Sequence, residues 1–164
     1  MIKRLGFLFI FLTCFQAEAS LELGYGMNST HGGRTIPSLA IAAGTKRFIV
    51  SAFSSGVKTN YYYHSTHGLH LLALAKAGDI LEGPVVFGLG LGIIHQERGF
   101  KDVDATQTDS KSDIVIGPAV RVNWTFFKVM YLNVDATYGL RDVWSHLTLN
   151  FQDVISASVG VRIW

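Results

Sequence analysis

The sequence predicts an all-β protein: a closed, antiparallel, up-and-down barrel of eight strands that spans a membrane. Almost every segment after residue 19 alternates between large apolar and small or polar residues, which is the period-two pattern of a strand. Eight such segments are present, and a sheet can cross a bilayer only as a closed cylinder. The links between segments alternate broadly between short and long, as expected when tight turns collect at one end of a barrel.

The first 19 residues are predicted to be a secretory signal peptide. Lys3 and Arg4 form a positive start, residues 5–15 an apolar run, and Ala17–Ala19 a small-x-small cleavage site. An uncleaved N-terminal anchor is the alternative, although this apolar run is too short to span a bilayer as a helix. Cleavage after Ala19 leaves residues 20–164 as one barrel domain.

The charge balance excludes a nucleic-acid binder that works by electrostatics. Without the signal peptide, the 14 Lys and Arg residues fall to 12 and the 12 Asp and Glu residues fall to 11. A net charge near +1 provides no basic patch. The single cysteine, Cys14, lies in the predicted signal peptide, so disulfides do not stabilise the mature domain. No second apolar run long enough for a transmembrane helix follows.

The predicted strands follow one another without a solenoid repeat. They are LELGYGMN, about Ile36–Gly44, about Lys46–Ser54, about Tyr61–Lys76, Pro84 to about Gln96, Ser112–Trp124, Met130–Arg141 and Val154–Trp164. The first strand and the last four have one clearly apolar face. The second to fourth are apolar on both faces, so the direction in which each of their side chains points stays open. Pro118 interrupts the sixth strand and predicts a local defect or a bulge there.

The links predict which end of the barrel is which. GTKR and TFFK are tight turns, AGDILEGP is intermediate, and the segment after the seventh strand, RDVWSHLTLNFQD, is long. The segment Gln96–Asp113 is predicted to be the longest loop, with mixed charge. Loops on a rigid scaffold are where recognition usually resides.

The fifth strand, PVVFGLGLGII, has large apolar residues on one face and Gly88, Gly90 and Gly92 on the other. Because lipid replaces the hydrophobic core of a soluble protein, the large residues are predicted to face outward. An eight-stranded barrel is only just wide enough for side chains to fill. The glycines are therefore predicted to face inward and to make room for long polar side chains from neighbouring strands.

The inward faces carry most of the strand-borne charges, which we predict to form a polar network inside the barrel. Its members are Glu22, Asn28, Arg121, Asn123, Asp135, Arg141 and Arg162. Arg121 is expected to pair with Asp135, and Glu22 with Arg162, because an isolated buried charge is costly. The network is interpreted as packing of a closed interior, with a gate or a proton path as the alternative.

Aromatic residues are predicted to form two interface girdles. They are Tyr61, Tyr62, Tyr63, Tyr138 and Trp144 at one end, and Trp124, Phe126 and Trp164 at the other. Trp164 alternates in phase with Arg162 rather than with the outward apolar residues, so a bulge near the C-terminus is needed to turn it outward.

With these features, residues 21–164 resemble the small eight-stranded outer-membrane barrels of Gram-negative bacteria, the OmpA/OmpX-like families. The resemblance rests on the signal peptide, the eight alternating strands and the terminal aromatic residue. It implies a monomer in the bacterial outer membrane, in contact with lipid and lipopolysaccharide, inserted by the barrel-assembly machinery. The resemblance indicates fold better than function, and our interpretation is a structural or surface-interaction role through the outer loops.

The most enzyme-like stretch is YYYHSTHGLH, which holds His64, Ser65, His67 and His70. It resembles the His-x-Ser of the lipid A deacylases, but threonine stands at position 66 and no carboxylate shares the strand. Only residues of equal parity share a face of a strand, and His64 and His70 are about 20 Å apart along it, so a metal site is not expected. No catalytic residue and no cofactor is predicted, and His64 and His67 are expected at a rim or in a loop. A lipid A-modifying enzyme, a narrow pore and, for the fold, a soluble β-sandwich are the alternatives.

Overall fold

The computed structural model describes residues 19–30, 35–59, 61–81, 83–101, 108–141 and 150–163. Every regular element in these ranges is a strand: β1 (Ser20–Thr30), β2 (Thr35–Gly44), β3 (Phe48–Lys58), β4 (Tyr62–Ile80), β5 (Gly83–Lys101), β6 (Thr108–Phe126), β7 (Met130–Arg141) and β8 (Asn150–Ile163). Within the same ranges, the chain forms no helix with the length and hydropathy that a membrane crossing by helix requires.

The eight strands form a closed barrel in which each strand is antiparallel to its sequence neighbours. The barrel closes between the first and last strands, where Leu21 lies opposite Ile163 and Thr30 opposite Val154. Closure leaves no unpaired sheet edge along this seam, which is how a barrel removes the edge problem of open sheets. The predicted fold class is confirmed.

The alternation of burial shows which face of each strand is inside. In β2, Ser38 and Ala42 are buried while Leu39 and Ile41 are exposed. The same alternation runs through β3 and β4. The direction of the side chains in these three strands, which the sequence leaves open, follows from their register with β1 and β5.

The outward face is apolar, and the inward face holds the charged side chains. Leu39, Leu89 and Leu91 are 66%, 65% and 63% exposed, whereas Glu22 and Arg121 are 2% and 3% exposed. A monomer in water rarely exposes so continuous an apolar surface. The barrel is therefore the inverse of a soluble domain.

The interior also contains two apolar clusters that the sequence did not predict. One consists of Ala42, Ile49, Leu72 and Ala119, with Leu74 packed against it. The other consists of Phe53, Ile94, Val115 and Val154, with Ala40 packed against it. Because β2 to β4 are apolar on both faces, their inward apolar residues could not be separated from the outward ones until the register was known.

The three tight connections, residues 45–47, 81–82 and 127–129, define what we call the short-turn end of the barrel. The Oγ1 of Thr45 accepts hydrogen bonds from the backbone N–H groups of Arg47 and Phe48, at 3.3 and 3.2 Å. In the third turn, Phe127 and Lys128 have φ angles of 50° and 65°. This region is uncommon for residues other than glycine.

Three predicted links are wrong in their extent, and one of them, RDVWSHLTLNFQD, already contains the first residues of β8, which begins at Asn150. The segment Gln96–Asp113 was predicted to be a loop, but β5 continues to Lys101 and β6 begins at Thr108, with Lys101 opposite Thr108. Similarly, β4 and β5 extend into AGDILEGP and leave only residues 81–82 between them. Both segments lack strong apolar alternation, and pairing with a neighbouring strand decides their conformation instead.

One irregularity of the sheet lies at Pro118, where the sequence predicts a local defect, and another lies in β4. The register of β4 with β5 shifts between Lys76 and Gly78, which makes Ala77 a bulge. At Pro118, the register of β6 with β7 is unchanged on either side, from Ile116 opposite Leu140 to Ala119 opposite Thr137. The proline therefore interrupts the ladder locally and produces no bulge.

The C-terminal strand stays in register with β1 throughout residues 154–163, so it contains no bulge that would turn Trp164 outward. Trp164 itself lies outside the described residues, as do residues 1–18 of the predicted signal peptide.

Candidate functional site

Four charged side chains meet inside the barrel near its short-turn end. The register places Arg121 of β6 opposite Asp135 of β7, and Glu22 of β1 opposite Arg162 of β8. Arg121 donates from Nε and Nη2 to the two carboxylate oxygens of Asp135, at 2.6 and 3.0 Å. Arg162 donates from Nε to Glu22 Oε1 at 2.8 Å, and its Nη2 donates to the same oxygen. Both pairs are those expected from the sequence.

Amide and hydroxyl groups complete this charged network. Arg162 Nη1 donates to Thr125 Oγ1 at 2.6 Å, and Nη2 donates to Asn123 Oδ1 at 2.8 Å. Asn133 Nδ2 donates to Asp135 Oδ2 at 2.5 Å. Thr125 and Asn133 were missed from the sequence, although both share the inward parity of Arg121 and Asp135. A polar residue of inward parity close in sequence to an inward charge is the signal that would have predicted both of them as members of the network.

Tyr131 fills the interior beside the network and explains two of the inward glycines. Its side chain is 2% exposed. A Cβ atom at Gly24 would lie 2.5 Å from Tyr131 Oη, and one at Gly160 would lie 2.7 Å from it. Gly24 therefore leaves the space that the tyrosine hydroxyl occupies, and Gly160 does the same while also allowing the backbone of Leu23 to approach, since a Cβ atom there would lie 2.0 Å from the Leu23 carbonyl oxygen.

Asn28 does not join the charged network. It lies nearer the other end of the barrel, where its Nδ2 donates to Ser55 Oγ at 3.2 Å and Ser55 donates to the carbonyl oxygen of Thr66 at 3.3 Å. His64 Nε2 lies 3.0 Å from Thr66 Oγ1, and His64 Nδ1 lies 2.9 Å from Tyr62 Oη. This is a second polar cluster, made of neutral partners and histidine.

Arg141, the remaining predicted member, is described only through its backbone. It lies opposite Val115 of β6 and Asn150 of β8, at the end of the barrel remote from the charged network. Its membership in the network stays a prediction.

The aromatic residues of the short-turn end cluster as expected. The Trp124 and Phe126 ring centroids are 5.1 Å apart, and those of Phe126 and Phe127 are 5.6 Å apart. Trp124 Nε1 donates to the carbonyl oxygen of Ile80 at 3.0 Å. Trp144 and Trp164, the other two predicted girdle tryptophans, lie outside the described residues.

At the opposite end, the predicted girdle is only partly outward. Tyr61 and Tyr138 are 59% and 55% exposed, and Tyr63 Oη donates to Glu97 Oε1 at 3.2 Å. Tyr62 differs, because it lies on the inward side of β4 with His64 and contacts Phe100, the ring centroids being 5.2 Å apart. Adjacent residues of a strand point to opposite faces, so three consecutive tyrosines cannot all belong to one outward belt.

The histidines of YYYHSTHGLH divide between the two faces of β4. His64 and His70 point inward and are 7% and 1% exposed, whereas His67 points outward. All three lie in the strand, so a loop position is wrong for His64 and His67, although His64 does lie near an end of the barrel, two residues after β4 begins at Tyr62. Ser65 has the opposite parity to His64, so its hydroxyl and the His64 imidazole lie on opposite faces of the strand. A catalytic pair would require both groups on the same face.

His70 forms the central polar layer of the interior, between the two apolar clusters. Its Nε2 lies 2.8 Å from Thr137 Oγ1, and its Nδ1 lies 3.5 Å from Ser51 Oγ. The ring also contacts Phe53, with centroids 5.6 Å apart. Hydrogen bonds on both ring nitrogens satisfy this buried side chain, so it is a structural residue.

A row of serine and histidine side chains crosses the outward face of four strands. Ser54 Oγ lies 3.0 Å from His67 Nδ1, and Ser112 Oγ lies 2.8 Å from His95 Nε2. The His67 and His95 rings stack with centroids 6.4 Å apart and an interplanar angle of 12°. The sequence pattern did not single out His95, although this residue has the same outward parity as Leu91 in β5.

Among the described residues, no group of three or more histidine, cysteine, aspartate or glutamate side chains converges in a way that could hold a metal ion.

The structure thus has a closed barrel with an apolar exterior and a charged interior, and it shares this fold with small eight-stranded outer-membrane barrels. It aligns with Ail, the attachment invasion locus protein of Yersinia pestis in complex with the heparin analogue sucrose octasulfate, at a TM-score of 0.55 and 12% identity over 89% of this chain and 98% of that chain. It aligns with the N-terminal β-barrel domain of Pseudomonas aeruginosa OprF at a TM-score of 0.60 and 11% identity, over 88% and 97% of the two chains. No family model matches the sequence, and no curated protein matches it.

Proposed function

We propose that the protein is a monomeric outer-membrane barrel with a structural or surface-interaction role and no catalysis of its own. The observation that carries this proposal is the inversion of the barrel, in which exposed leucines such as Leu89 face outward and Arg121 is paired inside. In lipid, the exposed apolar face needs no further protein to cover it.

The height of the apolar face supports a membrane crossing. In β6 the outward residues are apolar from Ile114 to Trp124, which matches the roughly 9–11 residues that a tilted transmembrane strand requires. The Trp124–Phe126 aromatic pair borders this face at the short-turn end. The row of His67, His95 and their serine partners borders it at the other end, where lipid headgroups begin.

In this arrangement the short-turn end faces the periplasm, and the β5–β6 hairpin projects from the cell. The hairpin segment 96–113 contains three Lys or Arg residues and five Asp or Glu residues, and Arg98 Nη2 lies 3.8 Å from Asp113 Oδ2. Ail was solved with a sulfated sugar, but a net negative hairpin repels such a ligand. Lipopolysaccharide bridged by divalent cations, or a protein partner, fits the hairpin better.

Delivery follows from the same proposal. The predicted signal peptide is removed after Ala19, and the barrel-assembly machinery inserts the domain through its C-terminal strand.

The test combines folding with orientation. Protein extracted from cells should migrate differently on detergent gels before and after boiling. Protease added to intact cells should cut the chain within residues 96–113. Cleavage at turn 45–47 in intact cells would contradict the proposed orientation. Extraction of the protein into an aqueous fraction without detergent would contradict the membrane proposal itself.

The pore alternative meets a constriction beside Tyr131 and Asp135. The charge pairs and Tyr131 occupy the barrel there, and the cavity beside them has a volume of only about 10 Å³, whereas a wider cavity of about 250 Å³ lies at the short-turn end. Steady conductance in planar bilayers that changes with a charge swap at Arg121 and Asp135 would favour a pore.

A lipid A-modifying enzyme remains the second candidate because of the two outward Ser–His contacts at the proposed headgroup level. A serine activated by a histidine is the basis of nucleophilic acyl transfer. Neither His67 nor His95 is hydrogen-bonded to a carboxylate in the described part of the chain, so the orienting third group is missing. A change in lipid A acylation detected by mass spectrometry, and lost in Ser112→Ala, would establish this activity.

A further inference from the structure

Two histidines of neighbouring strands lie side by side on the outward face of the barrel, and we call them the histidine pair. The register places His67 of β4 directly opposite His95 of β5. Their rings are nearly parallel, with an interplanar angle of 12° and centroids 6.4 Å apart. The next outward positions, Leu69 and Ile93, are also opposite each other and begin the apolar face. The histidine pair therefore lies at the border of this face, where water reaches it.

A serine hydroxyl contacts each ring of the histidine pair from the side remote from the other ring. Ser54 Oγ, on β3, lies 3.0 Å from His67 Nδ1, and Ser112 Oγ, on β6, lies 2.8 Å from His95 Nε2. Strands β3 and β6 flank the β4–β5 pair on its two sides. Because the two nitrogens of an imidazole lie on nearly opposite sides of its ring, the other nitrogens are left on the side nearer the partner histidine.

These other nitrogens are available as ligands. His67 Nε2 and His95 Nδ1 have no hydrogen-bond partner among the residues that the structure describes. A histidine that binds a metal ion usually donates its other ring N–H to an acceptor, which fixes the tautomer and the orientation of the ring. The Ser54 and Ser112 hydroxyls supply that acceptor when each accepts from the ring N–H that it contacts.

The chemistry of the pair favours a metal cation over an anion. Neutral imidazole nitrogens suit Zn²⁺, Cu²⁺ and Ni²⁺. Glu97 follows His95 by two residues and therefore lies on the same face of β5, where its Oε1 accepts a hydrogen bond from Tyr63 Oη at 3.2 Å. The negative charge of this carboxylate attracts a cation to this part of the barrel wall and repels an anion.

We propose that the histidine pair binds one divalent transition-metal ion between His67 Nε2 and His95 Nδ1. Bonds from zinc to histidine nitrogen are about 2.0–2.1 Å long, so the ion requires the two nitrogens to lie within about 4 Å of each other. Turning of the rings about χ2, which is a soft torsion in histidine, brings the nitrogens to this separation. No third histidine, cysteine, aspartate or glutamate converges on the pair in the described part of the chain, so water fills the remaining coordination positions.

This site goes beyond the proposed surface role, because the wall of the barrel binds the ion without a surface partner. The bound ion joins β4 to β5 at the outer border of the apolar face. Ser54 and Ser112 position the imidazoles here and do not act as nucleophiles, which separates the proposal from the lipid A-modifying alternative.

The direct test is a calorimetric titration of the folded barrel in nanodiscs of zwitterionic lipid. The protein is prepared without a histidine tag and freed of metal by a chelator, and the heat from empty nanodiscs is subtracted. We expect Zn²⁺ and Ni²⁺ to saturate at one ion per barrel, and we expect no binding of Mg²⁺, which prefers oxygen ligands. Binding of Mg²⁺ equal to that of Zn²⁺ would assign the ion to carboxylates and overturn the proposal, as would a Zn²⁺ titration that gives no heat above that of empty nanodiscs.

Copper identifies the ligands. Cu²⁺ should bind more tightly than Ni²⁺ or Zn²⁺, following the general order for nitrogen ligands. With ¹⁵N-labelled histidine, the electron paramagnetic resonance spectrum of the Cu²⁺ complex should show coupling to two imidazole nitrogens. Coupling to a single imidazole would contradict the paired site.

Variants of the ligands locate the ion at the histidine pair. Loss of a hydrogen-bond partner behind a metal ligand costs about 10–100-fold in affinity, so His67→Ala and His95→Ala should each weaken Zn²⁺ binding by at least that much. The control is the double variant His31→Ala and His146→Ala, which removes two histidines outside the described residues and should leave binding unchanged. Unaltered binding in the double variant His67→Ala and His95→Ala, with folding verified by heat-modifiable migration, would overturn the proposal.

A further variant tests the positioning role of the serines. Ser54→Ala should weaken Zn²⁺ binding about tenfold, and Ser54→Thr, which keeps the hydroxyl, should restore the parent affinity. Ser65→Ala is the matched control, because Ser65 shares the outward face of β4 and contacts neither ring. Equal affinities of Ser54→Ala and Ser65→Ala for Zn²⁺ would contradict the positioning role.

Discussion

Replacing Asp135 with asparagine should destabilise the barrel strongly, because this carboxylate neutralises a buried arginine. Its two oxygens accept hydrogen bonds from Arg121 Nε at 2.6 Å, from Arg121 Nη2 at 3.0 Å and from Asn133 at 2.5 Å. Arg121 is 3% exposed, so solvent cannot take over the role of the carboxylate. Among the residues that the structure describes, the other acid recorded near Arg121 is Glu22, whose Oε2 is 3.6 Å from Nη1.

The magnitude follows from these contacts. Breaking a buried ion pair by removing one partner costs about 3–5 kcal/mol. The asparagine amide oxygen still accepts one hydrogen bond and Glu22 supplies some opposite charge, so we expect the lower end of that range. A loss of about 3 kcal/mol lowers the folding equilibrium constant by a factor of about 100.

The assay is reversible unfolding by urea in lipid vesicles, with linear extrapolation of the free energy of unfolding. The double variant Arg121→Gln and Asp135→Asn should be less destabilised than Asp135→Asn alone, because no charge is then left unpaired. The control is Lys76→Gln, which breaks an ion pair with Asp79 whose side chains are 60% and 54% exposed. It should cost at most about 1 kcal/mol.

If the free energy of unfolding of Asp135→Asn is within about 1 kcal/mol of that of the parent protein, buried ion pairing does not stabilise this interior. If the double variant is less stable than the single one, the neutralising role assigned to Asp135 is wrong.

Three further predictions concern the sheet and its turns. Gly90→Ala should lower the free energy of unfolding by about 1–3 kcal/mol, since its Cβ atom would lie 1.9 Å from the carbonyl oxygen of Leu71. The control Gly78→Ala should change the free energy of unfolding little in the same urea assay, because no atom lies within 4 Å of the added Cβ. Leu89→Arg should destabilise the barrel by about 2–4 kcal/mol in vesicles, as for a charge near the bilayer midplane; a loss below about 0.5 kcal/mol would place this residue outside the lipid. Lys128→Gly should stabilise the folded state by about 1 kcal/mol, because Lys128 has a φ of 65°; a lower free energy of unfolding would contradict this account.

The sequence predicted most of the fold because period-two alternation is a direct record of which face is apolar. It also predicted the charged pairs, since Arg121 and Asp135 share inward parity at nearly opposite levels of neighbouring strands. Strands β2 to β4 were harder, because an interior with apolar clusters such as that of Ile49 and Leu72 removes the contrast between the two faces.

Other features required the register between strands. Nothing within the polar segment 96–113 indicates a hairpin, which forms because β5 and β6 continue to pair as far as Lys101 and Thr108. The outward row of Ser54, His67, His95 and Ser112 joins residues up to 58 positions apart in the sequence.

The sequence by itself determined that this chain is a barrel with its apolar side outward, because alternation and glycine placement are local properties of each strand. The tertiary structure decided which polar groups meet and where the strands end. Those features depend on the register and shear of the closed sheet, which bring together side chains that no local pattern relates.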